Sequence, residues 1–73
     1  MRFKIGDMVS VRSDIDIFRR VDGVLIFRSM RNERGKIGRI IDAMDGGKYG
    51  FYKISSSRFW WPGAMLREVE GND

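Results

Sequence analysis

The chain reads as a small all-β protein, a five-stranded antiparallel barrel, on three observations. The run Gly35-Lys36-Ile37-Gly38-Arg39-Ile40-Ile41-Asp42-Ala43 starts on a turn glycine and holds β-branched residues long enough for a central strand. Asp22-Gly23 stands between apolar flanks, the short-range signature of a hairpin, and Asp45-Gly46 makes a second Asp-Gly turn. Val9 and Val11 alternate with Ser10 and Arg12, which is the period of a half-buried strand.

In chain order, Ile5-Gly6-Asp7 is a turn into a first strand near 8–12. Ser13 and Asp14 close that strand, and Ile15 and Ile17 are expected to cover one end of the barrel. Residues 19–34 form a basic insertion. Its first part surrounds Asp22-Gly23 and folds as a short hairpin or tight loop; its second, Ser29 to Arg34, permits one helical turn anchored by Met30 and stopped by Gly35. The central strand spans 37–43, with Ile37, Ile40 and Ile41 offering apolar surface to both faces.

Beyond the second Asp-Gly turn, 49–54 runs back antiparallel, and Gly50 marks a bulge or the close approach of another backbone or a large ring. Ser55-Ser56-Ser57 turns into a strand at 58–61. Pro62 ends that ladder because it has no amide hydrogen, one short helical turn fits Gly63 to Leu66, and 67–69 closes the sheet. Residues 70–73 are a frayed tail. The expected core is Val9, Val11, Met30, Ile37, Ile41, Phe51, Ile54, Trp61, Leu66 and Val69.

The aromatic residues divide by strand parity. Phe59 and Trp61 share one face, Arg58 and Trp60 the other, so one tryptophan points away from the core. Trp61 is assigned inward, beside Met65, Leu66, Val9 and Ile40. Trp60 becomes the exposed contact, against the competing account that it covers the insertion by packing on Phe18 or Phe27. Tyr49 and Tyr52 are taken as half-buried sheet residues.

Composition bounds the function. Seventy-three residues make one domain, 1–73, which buries only about 60 % of its unfolded surface. Without cysteine or histidine, neither a disulfide nor a Cys/His zinc site is available, and no cofactor is implied. The longest apolar run, Val24 to Phe27, is far too short to span a membrane, and the first residues lack an apolar leader core. A cytoplasmic protein with no membrane partner is the expectation. Catalysis is not expected: the acids sit mostly at turns, as Asp7, Asp22 and Asp45 do, Asp14 and Asp16 are only two apart, and no phosphate loop or nucleophile with its base is present.

The net charge of +4 is concentrated. From Arg19 to Arg39, seven cations stand against Asp22 and Glu33, and six of the seven are arginine. Solvated charges keeping a small domain soluble would account for such a segment. Arginine, however, suits bidentate contacts to carboxylate or phosphate better than lysine, which favours a binding surface.

Ile5-Gly6-Asp7-Met8-Val9-Ser10-Val11 and Gly35-Lys36-Ile37-Gly38-Arg39-Ile40-Ile41 resemble the two halves of the KOW-type motif of SH3-like small barrels, with about two dozen residues inserted between them. Trp60-Trp61-Pro62-Gly63-Ala64-Met65-Leu66 resembles the short helix and last strand of that fold, and Trp61 takes the family's core tryptophan position. In layout the chain is similar to small uncharacterised SH3-like proteins encoded by phages and prophages of Gram-positive bacteria. It departs from them in Pro62-Gly63-Ala64, where polar, acidic residues are usual, and in its arginine-rich insertion. SH3-like barrels bind RNA, DNA, proline-rich peptides and other proteins, so the resemblance implies a fold more than a role.

Two functions of different class follow. In the preferred one, Arg19, Arg20, Arg28, Arg31, Arg34 and Arg39 dock on an acidic surface of a host protein or nucleoprotein, with Trp60 as the hot spot. The phage resemblance extends this to an inhibitor of host defence or nucleic-acid machinery. In the alternative, the same arginines hold the phosphates of DNA or RNA while Trp60 or a tyrosine stacks on a base. Either module would act as a monomer or weak homodimer.

Overall fold

Turn residues and strand period lay out the described residues as seven short strands, one α-helical turn and one 3-10 turn. The computed structural model describes residues 2–14 and 19–69. Strand β1 is Met8–Val11, β2 Arg19–Val21, β3 Val24–Ile26, helix α1 Arg28–Arg31, β4 Ile37–Met44, β5 Phe51–Ile54, β6 Trp60–Pro62 and β7 Leu66–Glu68, with the 3-10 turn Gly63–Met65 between the last two. Ile15, Ile17, Phe18 and the tail 70–73, to which the sequence assigned a barrel end, a packing contact and fraying, lie outside the described residues.

Five strands make one antiparallel sheet in the order β6-β5-β4-β1-β7, and β2-β3 form a separate hairpin. All-β architecture therefore holds. The sheet does not close: no ladder joins β6 to β7, so the expected barrel is an open sheet with those strands at its edges. The hairpin turns at Asp22-Gly23, with φ of 54° and 84°, the left-handed pair that a two-residue hairpin loop requires. Its insertion leaves and re-enters the sheet at one point. The Val11 carbonyl accepts from Gly35 N–H and Val11 N–H donates to the Lys36 carbonyl, both at 2.9 Å; α1 ends at Arg31 on an Asn32 cap, short of the expected glycine stop, and Gly35 takes a left-handed φ of 80° in the turn that leads to β4.

The core gathers Val9 and Val11 from β1, Ile26, Met30, Ile40, Tyr52, Ile54 and Trp61, Met65 and Leu66 from the 3-10 turn and β7, and Phe3 from the N-terminal segment. Six expected core residues are there: Val9, Val11, Met30, Ile54, Trp61 and Leu66. Four are not. Ile37 and Ile41 are 55 % and 51 % exposed, because parity sends Gly38 and Ile40 inward. Gly38 is inside for want of room: a Cβ there would meet the Ser56 backbone nitrogen at 3.1 Å. Ile41 is the extra residue of a bulge between Ile40 and Asp42 and stays outside. Phe51 and Val69 are half-buried.

The bulge anticipated at Gly50 is thus in β4 instead. Gly50 precedes β5 with φ of 85°, and a backbone does approach it closely, since its carbonyl accepts from Gly63 N–H at 2.9 Å. Strand ends shift by one or two residues: 58–61 becomes Trp60–Pro62 and 67–69 becomes Leu66–Glu68. Tyr52, expected half-buried, is fully buried, whereas Tyr49 is half-buried as expected.

Candidate docking surface

Helix α1 is a single turn whose orientation is set by one anchor. Met30 is buried in the core, and Met30 and Arg31 N–H both donate to the Phe27 carbonyl, at 3.0 and 3.3 Å. With Met30 inward, Arg28 and Arg31, three apart, fall on the outer face as neighbours. Arg34 continues the row. Its guanidinium donates to the Arg31 carbonyl at 3.2 Å, and all three side chains are exposed.

The acid nearest in sequence faces the other way. Glu33 is only 15 % exposed; it accepts from Lys36 Nζ at 2.7 Å and from the Ser57 hydroxyl. Ser57 Oγ in turn accepts from the Trp61 indole N–H at 3.0 Å and from Phe59 N–H at 3.2 Å. Glu33 therefore ties the insertion to the core tryptophan instead of neutralising the arginines. Among the described residues Arg28, Arg31 and Arg34 make no ion pair. Arg12, just before the insertion, shows the contrast, since it grips Asp14 at 2.6 and 3.0 Å.

Partial burial by itself would raise the Glu33 carboxyl. The hydrogen bonds from Lys36 and Ser57, with the charges of Lys36 and Arg58, outweigh it and hold the group below the usual glutamate range. The unfolded chain binds that proton more readily, near the ordinary value of about 4.3. The clamp's stability is then fully present above that value and is lost as pH falls through the lowered folded one. Glu33→Gln should accordingly flatten the acid limb of a plot of urea midpoint against pH. An acid limb as steep as that of the unmodified protein would show that Glu33 is not part of it.

The structure divides the other expected site residues. Arg19 opens β2, but its side chain lies outside what is described. Arg20 is exposed on the same hairpin and donates to the Gly23 carbonyl at 3.4 Å. Arg39 is not part of the insertion surface: it stands on β4 opposite Met8, and its guanidinium is tied to the Gly6 carbonyl at 2.9 Å. Trp60 is 37 % exposed on edge strand β6, on the face away from the core. Phe59 packs against the insertion, with its ring 5.4 Å edge-on from Phe27 and 6.3 Å from Trp61, while the expected alternative contact of Trp60 with Phe18 lies outside the described residues.

Phe27 is the residue that sequence reasoning missed. It is 40 % exposed, directly before Arg28, with exposed Leu25 on β3 nearby in sequence. The available signal was its position three residues before Met30, which keeps it on the helix side of the insertion while the arginines turn outward. The surface thus mixes apolar and arginine side chains, the composition that marks the centre of protein interfaces. Among the described residues no three acids converge as metal ligands, and no helix is long and apolar enough to cross a membrane.

No family model, curated protein or solved structure matches this chain.

Proposed function

We propose that this chain is a non-catalytic, phage-encoded docking module on an open, SH3-like sheet, which binds an acidic surface of a host protein or nucleoprotein and thereby inhibits host defence or nucleic-acid machinery. The observation that carries it is the row Arg28, Arg31 and Arg34, exposed without ion pairs among the described residues while Glu33 is turned inward. Three arginines without an ion pair among the described residues, beside an exposed aromatic, are well suited to bidentate contacts with carboxylates. The SH3-like part is supported by the insertion between the first two strands of the sheet and by the 3-10 turn before the last one. Phage origin rests on the layout of the sequence. The module acts in the cytoplasm as a monomer or weak homodimer.

Apolar exposure at Leu25 and Phe27 favours a protein over DNA or RNA, whose interfaces are more polar and more densely cationic. The test reverses charge with Arg28→Glu, Arg31→Glu and Arg34→Glu together. These side chains are exposed, so thermal stability should stay within about 0.5 kcal/mol per site. A stoichiometric partner captured from nuclease-treated lysate should be lost, with affinity falling at least about a hundredfold. In parallel, oligonucleotide titrations at about 0.15 M salt should give no more than the generic affinity of about 10⁻⁴ to 10⁻⁶ M. Submicromolar oligonucleotide binding that disappears in the triple variant would establish the nucleic-acid alternative instead.

A further inference from the structure

The insertion and the sheet meet at an open depression of about 540 Å³, walled by Glu33 and Lys36 after α1, Ile41 on β4, Lys53 on β5 and Arg58 beyond the serine turn. One end already holds a carboxylate. Glu33 sits there, gripped by Lys36 Nζ and the Ser57 hydroxyl, while Lys36 also donates to the Ser56 carbonyl at 3.4 Å. Lys53 and Arg58 also line the depression; neither makes an ion pair among the described residues, and the charge of Arg58 reaches the Glu33 carboxylate.

Asp42 stands opposite Lys53 across the ladder, but its carboxylate is turned to the Ala43 N–H at 2.8 Å. Arg58 is held in place by the Phe59 ring, its guanidinium carbon 5.3 Å from the centroid. The rim beside these cations is apolar. Ile41 is exposed, and Trp60 lies in the same cross-strand row as Lys53.

We propose that this depression is a carboxylate-binding subsite, in which an aspartate or glutamate of an acidic partner segment sits between Lys53 and Arg58 while an apolar neighbour packs on Ile41 and Trp60. The proposal rests on the docking reading above and specifies its partner: an acidic polypeptide segment with interleaved apolar residues. Two features favour a carboxylate on a polypeptide over a nucleic-acid phosphate. The chain's own Glu33 shows that this wall coordinates a carboxylate, and the exposed isoleucine and tryptophan suit an apolar side chain better than a sugar-phosphate backbone. The subsite also connects Trp60 to the arginine row, since Phe59, next to Arg58, packs against Phe27.

The experiment is an NMR titration of the full isotopically labelled chain. The probes are a capped peptide of glutamates spaced by leucines, its glutamine counterpart, and an oligothymidylate of similar length. The two indole signals report separately, because the Trp61 indole is bonded to Ser57 whereas Trp60 is solvent-facing. The glutamate peptide should shift the Lys53, Ser55 to Arg58 and Trp60 signals saturably and leave the Trp61 indole in place. Two exposed charge pairs are each worth a few-fold, so Lys53→Gln with Arg58→Gln should weaken that binding about tenfold.

Equal binding of the glutamine peptide, tighter binding of the oligothymidylate, or no saturable shift at these residues would each overturn the subsite. So would an affinity unchanged in the double variant. Failure of the wider docking reading shows elsewhere, as a lysate partner indifferent to reversal of Arg28, Arg31 and Arg34.

Discussion

Trp61→Ala should destabilise the protein by about 3–5 kcal/mol, a large share of the stability of about 4–11 kcal/mol expected for 73 residues. The ring is fully buried in a core assembled from six strands, the 3-10 turn, α1 and Phe3. Its indole N–H also completes the chain from Trp61 through Ser57 to Glu33 that fastens the insertion to the sheet. Deleting it removes apolar burial, opens a cavity in a domain too small to collapse around it, and leaves Ser57 Oγ without one donor. Trp60→Ala, one residue away on the outer face of an edge strand, should cost about 1 kcal/mol or less. Urea denaturation followed by circular dichroism measures both. Equal losses would mean that the two faces of β6 contribute alike, contrary to their burial.

Much of this fold is written in local signals. Asp22-Gly23 specifies its hairpin because few residue pairs adopt two left-handed conformations in succession, and Gly35 makes the left-handed turn ahead of β4 for a similar reason. Strand parity placed Trp61 inside and Trp60 outside, since each step along a strand reverses the side chain. Parity failed in β4 because Ile37, Ile40 and Ile41 fit either register. What decides between them is tertiary: the close packing of Gly38 on the serine turn, and a bulge that no β-branched pattern announces.

The surface was legible as charge and not as geometry. An arginine-rich segment is visible in any sequence, and Met30 as a single anchor suffices to turn Arg28 and Arg31 outward. The inward turn of Glu33 depends on Ser57, twenty-four residues away, and so has no local trace. It nevertheless decides the electrostatics, since an outward Glu33 would pair with the very arginines it now leaves exposed. Arg39 joins the docking set by charge and Trp60 by residue type, and the ladder keeps both on the strands that the sequence assigns them, β4 and β6.

Tyr52→Phe should cost about 2–4 kcal/mol although it removes a single oxygen. Tyr52 is fully buried, and its hydroxyl accepts from Arg2 N–H at 2.9 Å and Phe3 N–H at 3.1 Å while donating to the Tyr49 carbonyl at 2.7 Å. It substitutes for a strand partner at Arg2 and Phe3, which precede the point where Gly6 and Asp7 exchange backbone hydrogen bonds with Ile40 on β4. Phe3 is buried edge-on against the same ring, 5.3 Å between centroids, so its amide has no ready access to water once the oxygen is gone. Tyr49→Phe is the matched control. The Tyr49 hydroxyl makes no hydrogen bond among the described residues, and its removal should change stability by no more than about 0.5 kcal/mol. Amide exchange separates this account from a general loosening: in Tyr52→Phe, Arg2 and Phe3 should lose protection while the β1–β4 ladder keeps a protection pattern scaled only by global stability. Unchanged protection at Phe3, or a loss no larger than that of Tyr49→Phe, would show that the hydroxyl is not what secures the N-terminal segment to the sheet.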